Sequence, residues 1–140
     1  MVSNDCLEWL EYARKDIDVA NHLYVLQQNP RHRPHEAILF HCQQGAEKAL
    51  KAFIVQSGIF PPRTHDLQDL LSICSKHDIQ FDKVRLAKHC AFLTPFAVLV
   101  RYPKHSIILD STQSERGLNA SKRIHDFVSE RLGLKKIYYT

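Results

Sequence analysis

The stretch FHCQQGAEKALKAF, Phe40 to Phe53, is the part of this 140-residue chain from which the rest is read. Apolar or small residues at Ile38, Cys42, Ala46, Ala49 and Phe53 recur at steps of three and four, the spacing that lines one side of an α-helix. Leu39, Leu50 and Ile54 widen that band into a face suited to burial. Gln43, Gln44, Glu47, Lys48 and Lys51 lie around the other side, expected to be solvated, with Glu47 one turn ahead of Lys51 in the favourable order for a helix ion pair. Gly45 costs about 1 kcal/mol of helix propensity at such a position and is expected to mark a close helix approach.

Working outward, Pro34 suits a helix start, and Ser57-Gly58 supplies a C-terminal cap, so this helix is expected from about His35 to Gln56. Upstream, Asp5 with Glu8 forms a capping-box pattern, followed by Cys6, Leu10, Ala13, Ile17, Ala20 and Tyr24 on one face; Asn29-Pro30 closes that first helix. Downstream, Pro61-Pro62 stiffens a connection, after which Thr64 or Asp66 caps a short helix striped by Leu67, Leu70, Leu71 and Cys74. A fourth helix is expected from Phe81-Asp82, with Val84, Ala87, Ala91 and Val98 inward and Pro95 dividing it. Arg101 to Asp110 then read as a loop whose Ile107-Ile108-Leu109 is expected to tuck against a dimer partner. Thr112 with Glu115 forms a second capping-box pattern before a last helix carrying Leu118, Ser121, Ile124, Val128 and Leu132, closed by Gly133. The whole chain, 1–140, is therefore expected to be one all-α domain, an antiparallel bundle of about five helices.

Composition bounds function. At 44% hydrophobic and 24% charged residues the chain is of globular type, and no apolar run nears the roughly 20 residues that span a bilayer, so no membrane partner is expected. Met1-Val2-Ser3-Asn4-Asp5 has no basic segment followed by an apolar one, and a cytoplasmic location is expected. Cys6, Cys42, Cys74 and Cys90 fall at apolar helical positions without paired spacing, which reads as reduced core thiols. The net charge of +4 permits a phosphate-bearing partner.

Trp9, Ala13, Asp16 and Ala20, then FHCQQGAEKALKAF, Thr64-His65-Asp66-Leu67 with Leu70, and Arg101-Tyr102-Pro103 before a last helix, occur in an order that resembles the HEPN family of small all-helical domains. Gly45 stands where that family usually has alanine. Some members of the family are RNA-cutting toxins and others bind nucleotidyltransferases. The resemblance implies a homodimer, binding of RNA or nucleotide around Arg101, Tyr102 and Lys104, and no cofactor or metal; Lys48 and Lys51 are further candidates for phosphate contact, set against the solvated face that lysines on an amphipathic helix ordinarily form. In the toxin branch an arginine and a histidine four to six residues further on carry the reaction. Here Arg101 and His105 occupy the matching region with three residues between them. Their implied chemistry is metal-independent RNA cleavage: His105 moves a proton at the ribose 2′-hydroxyl or the leaving oxygen, and the Arg101 fork stabilises charge on the phosphate.

Three functional classes stay open at this point. The first is an endoribonuclease toxin of a toxin–antitoxin pair; the second is a non-catalytic module that binds nucleotide or a minimal nucleotidyltransferase antitoxin. The third is a structural interaction domain, in which Arg101 serves the last carbonyls of its helix and Tyr102-Pro103 merely ends it. Arg85 and His89 show the same three-residue gap as Arg101 and His105, so the spacing alone does not discriminate. A zinc reading of His41-Cys42, His89-Cys90 and His35-Glu36 is disfavoured by spacing, since His35 and His41 are six apart and point about 120° away from each other around a helix.

Overall fold

Fourteen of the 22 residues of the FHCQQGAEKALKAF helix are buried, so it runs through the middle of the molecule and not along its surface. The computed structural model describes residues 1–98 and 108–135. In chain order these form α1 (Asn4–Leu26), a 3-10 turn (Pro30–His32), α2 (His35–Gln56), α3 (Leu67–His77), α4 (Gln80–Lys83), α5 (Ala87–Leu93), a second 3-10 turn (Thr94–Ala97) and α6 (Ser111–Arg131). Every regular element among the described residues is helical.

Cross-helix contacts fix the directions. Ser3 bonds Gln56 while Asp16 meets His41 and Lys48, so α1 and α2 are antiparallel. Tyr24 bonds Glu115 while Leu10 accepts from His125, so α6 also runs against α1 and therefore along α2. The loop after α2 folds back along it, bringing His65 beside Gln43, before α3 sets off in the same direction as α2. One apolar core, extending from Cys6 to Val128, joins all of these helices.

The glycines of α2 and α6 permit the central crossing. A Cβ on Gly45 would lie 2.6 Å from Ile17 Cγ1, 3.1 Å from Ser121 Oγ and 3.2 Å from the Ala13 carbonyl oxygen, so α1, α2 and α6 meet at that point. A Cβ on Gly117 would lie 2.5 Å from Leu39 Cδ2. The four cysteines are free and buried, and burial pushes the Cys90 thiol up to about 12.

Local details differ from the sequence expectation in four places. Ser3, not Asp5, caps α1, its hydroxyl accepting from the Cys6 amide. Asp110 and Gln113, not Thr112 and Glu115, make the capping box of α6. In the fourth-helix region the buried residues are Phe81, Leu86, Cys90, Leu93, Phe96 and Ala97, whereas Ala87, Ala91 and Val98 are exposed and Val84 is half-buried. The reason is a break at Arg85, whose φ of 56° turns the chain between α4 and α5 and resets the helical phase. Finally, the far side of α2 is not solvated: Gln43, Glu47 and Lys51 are buried.

Candidate functional site

Those buried polar residues of α2 form an ordered cluster. The Glu47 and Lys51 side chains are only 6% and 8% exposed and meet at 3.0 Å through Oε2 and Nζ. Charges removed from water to this degree persist only when paired and hydrogen-bonded. The other oxygen of Glu47, Oε1, accepts from His65 Nδ1 at 2.8 Å and from Gln43 Nε2 at 3.3 Å. Gln43 Nε2 also donates to the His65 carbonyl at 3.1 Å, so α2 holds both the backbone and the ring of this residue.

His65 itself is 57% exposed at the side chain. An ionised carboxylate only accepts, so Nδ1 carries a hydrogen, and in the neutral ring Nε2 carries the lone pair. A buried carboxylate that fixes the tautomer of an accessible imidazole gives a group able to take up a proton or, once charged, to contact a phosphate. Lys51 extends the cluster to α1, its Nζ lying 5.9 Å from the Trp9 ring centroid.

A second cluster flanks the first. Asp16 accepts from His41 Nδ1 at 2.8 Å and from Lys48 Nζ. Burial pushes the Asp16 carboxyl up, but the hydrogen bonds from His41 and Lys48 outweigh it and leave the group below the usual carboxylate range. Lys48 also lines a groove of about 740 Å³ between α1 and the loop after α2, where Trp9, Tyr12, Ile59 and Phe60 supply the walls and Asp5 and Glu8 the acids.

Arg101, Tyr102, Lys104 and His105 lie outside the described residues. The chain that leads to them is tied to the His65 cluster: the Leu67 amide, two residues past His65, donates to Thr94 Oγ1 at 3.1 Å, seven residues before Arg101. Of the remaining candidates, Lys48 and Lys51 sit near one another on α2, yet each is already balanced by its own carboxylate. His35 has both ring nitrogens engaged, with Pro30 and Ser114. Among the described residues no group of three or more His, Cys, Asp or Glu side chains is arranged to hold a metal.

The sequence shows His65 only as part of Thr64-His65-Asp66-Leu67 and does not pair it with Glu47. The only signal available was that both belong to motifs of the resemblance, since no periodicity links a loop residue to a helix 18 positions earlier.

The comparisons with known proteins bear on the family and the fold. The family model of the HEPN domain matches residues 6–132. Among solved structures, TT1696 from Thermus thermophilus is similar at 25% identity and a TM-score of 0.74, over 92% of this chain and 99% of that one. ST0689, described as an archaeal HEPN homologue, is similar in fold at 20% identity and a TM-score of 0.68, over 91% and 97% of the two chains. No curated protein matches.

Proposed function

This chain belongs to the HEPN domain family, and from that premise we propose that it binds RNA and cleaves it without a metal, as the toxin of a toxin–antitoxin pair. The observation that supports this most is the exposed His65 ring, oriented by buried Glu47 beside the turn that leads to Arg101 and His105. In this reading the cleft lies between two copies of the chain. Arg101 binds the phosphate through its planar fork, Lys104 adds positive charge, Tyr102 stacks on a base, and His105 moves the proton at the 2′-hydroxyl or the leaving oxygen. The 2′-oxygen then forms a bond to phosphorus as the bond to the 5′-oxygen breaks. Lys51 acts indirectly, by neutralising the carboxylate that holds His65.

Labelled RNA incubated with the purified protein in chelator tests the proposal. Cleavage that is lost in Arg101→Ala and in His105→Ala, both still folded, supports it; equal cleavage by wild type and variants assigns the activity to a contaminant.

A second reading is a non-catalytic module that binds a nucleotide or pairs with a minimal nucleotidyltransferase. The groove favours it, because Trp9, Tyr12 and Phe60 offer rings on which a base can stack. A nucleotide that raises the melting temperature while RNA stays intact selects this reading.

A further inference from the structure

Away from the cluster around Glu47, α5 and α6 pack side by side and gather several cations. Arg116 and Arg123 are exposed and seven residues apart on α6, two turns along one face. Lys88 and His89 stand opposite on α5, with Lys88 exposed. Among the described residues, no carboxylate comes within ion-pair distance of Lys88, Arg116 or Arg123. Of the acids on α6, Glu115 is bonded to Tyr24, Asp126 is half-buried three residues after Arg123 without reaching ion-pair distance of it, and Glu130 lies two turns beyond Arg123. The Arg116 guanidinium rests over the Phe92 ring with its centre 4.1 Å from the centroid, and Phe92 in turn meets Phe96 edge-on at 5.4 Å.

We propose that this α5–α6 face is a track for single-stranded RNA, in which Lys88, Arg116 and Arg123 hold backbone phosphates and the guanidinium pinned on Phe92 is a platform for a base. Charge alone suits any polyanion, but a flat cation held against a ring matches the planar base of a nucleic acid, which an acidic peptide lacks. Supporting the convergence of these charges, His89 is held below the ordinary histidine value first by burial and then by Lys88, Arg123 and Arg116 together. The track deepens the proposed reading, since α5 leads directly into the turn before Arg101, and it lets a strand bind beyond the bond to be cut.

Binding of a 2′-O-methyl single strand of roughly 16 nucleotides, the upper end of ordinary single-strand site sizes, tests the track without interference from cleavage. The double variant Arg116→Glu with Arg123→Glu is expected to bind at least about tenfold more weakly, and its salt dependence to fall by about 1.4 in log–log slope, about 0.7 for each lost phosphate contact. Arg116→Lys is expected to keep the slope and lose a few-fold in affinity, because the charge remains and the flat platform goes. Unaltered melting temperatures show that the variants are folded. Unchanged affinity and slope in the double variant overturn the track, as does wild-type protein that binds no strand. Displacement of the strand by polyglutamate at matched charge overturns it too, and assigns the face to an acidic protein. Cleavage of an unmodified dinucleotide, too short to reach the track, is expected to be equal in wild type and double variant. A wild type that binds the long strand through this face yet leaves the dinucleotide intact retains the track and removes the nuclease reading.

Discussion

Glu47 is the residue on which local order most depends, because a carboxylate with 6% exposure serves one ammonium, one imidazole and one amide. Removing one partner of a buried pair leaves an uncompensated charge and costs about 3–5 kcal/mol, whereas replacing both with apolar or neutral groups is often nearly neutral. Lys51→Met is therefore expected to lower unfolding free energy by about 3 kcal/mol, and Glu47→Gln added to it to restore most of that loss. Urea titration of the two single variants and the double checks this; simply additive losses mean that the pair is not coupled. His125 is a different case. It is fully buried between α1 and α6, and burial first, with Arg14 adding, holds its pKa below 6.5 despite the Leu10 carbonyl, Asp126 and Asp18, which act the other way. The folded state thus binds the proton less readily than the unfolded chain does. Its share of stability is complete above pH 6.5 and is lost as pH falls below that value towards the folded pKa, at a slope of up to about 1.4 kcal/mol per pH unit. Urea midpoints are expected to drop between pH 7.5 and pH 5.5, and to drop less in His125→Gln.

At the scale of elements, the break at Arg85 shows what position in the fold demands of the backbone. An arginine at φ 56° pays for a left-handed conformation that glycine adopts freely and a β-branched residue tolerates poorly. Arg85→Gly is expected to leave the melting temperature unchanged or raise it slightly, and Arg85→Val to lower stability by more than about 1 kcal/mol, measured by thermal unfolding. The same break explains why α5 was hard to read. Neither glycine nor proline stands at 85, so the apolar pattern of Val84, Ala87 and Ala91 passes for a continuous stripe, while the real one begins afresh at Leu86. Longer elements were legible because their caps and periods agree. The α2 helix starts and ends at the expected residues, and Gly58, with a φ of 84°, terminates it as a left-handed residue should. The capping box of α6 was ambiguous for a simple reason: Asp110 with Gln113 and Thr112 with Glu115 obey the same rule two residues apart. The polar side of α2 was misjudged because amphipathicity reports two faces only, and this helix has neighbours on more sides than that.

For the molecule as a whole, the proposed reaction rests on two copies meeting. Ile108 is 87% exposed at the end of the segment that carries Arg101 and His105, which leaves its side chain open to the subunit contact that the proposal requires. No helix among the described residues is long and apolar enough to cross a membrane, so lipid does not take the place of that contact through a spanning helix. Light scattering is expected to report twice the 16.3 kDa chain mass for the wild type and a single chain for Ile108→Glu. If the cleft is shared, the charge introduced at Ile108 removes RNA cleavage along with the dimer, while the melting temperature falls only by the stability that association contributes. Specific activity is then also expected to decline on dilution, since the competent species forms with the square of the chain concentration. A protein that stays monomeric at every concentration and still cuts RNA, with loss of cutting in Arg101→Ala, places the whole reaction within one chain and excludes the shared cleft.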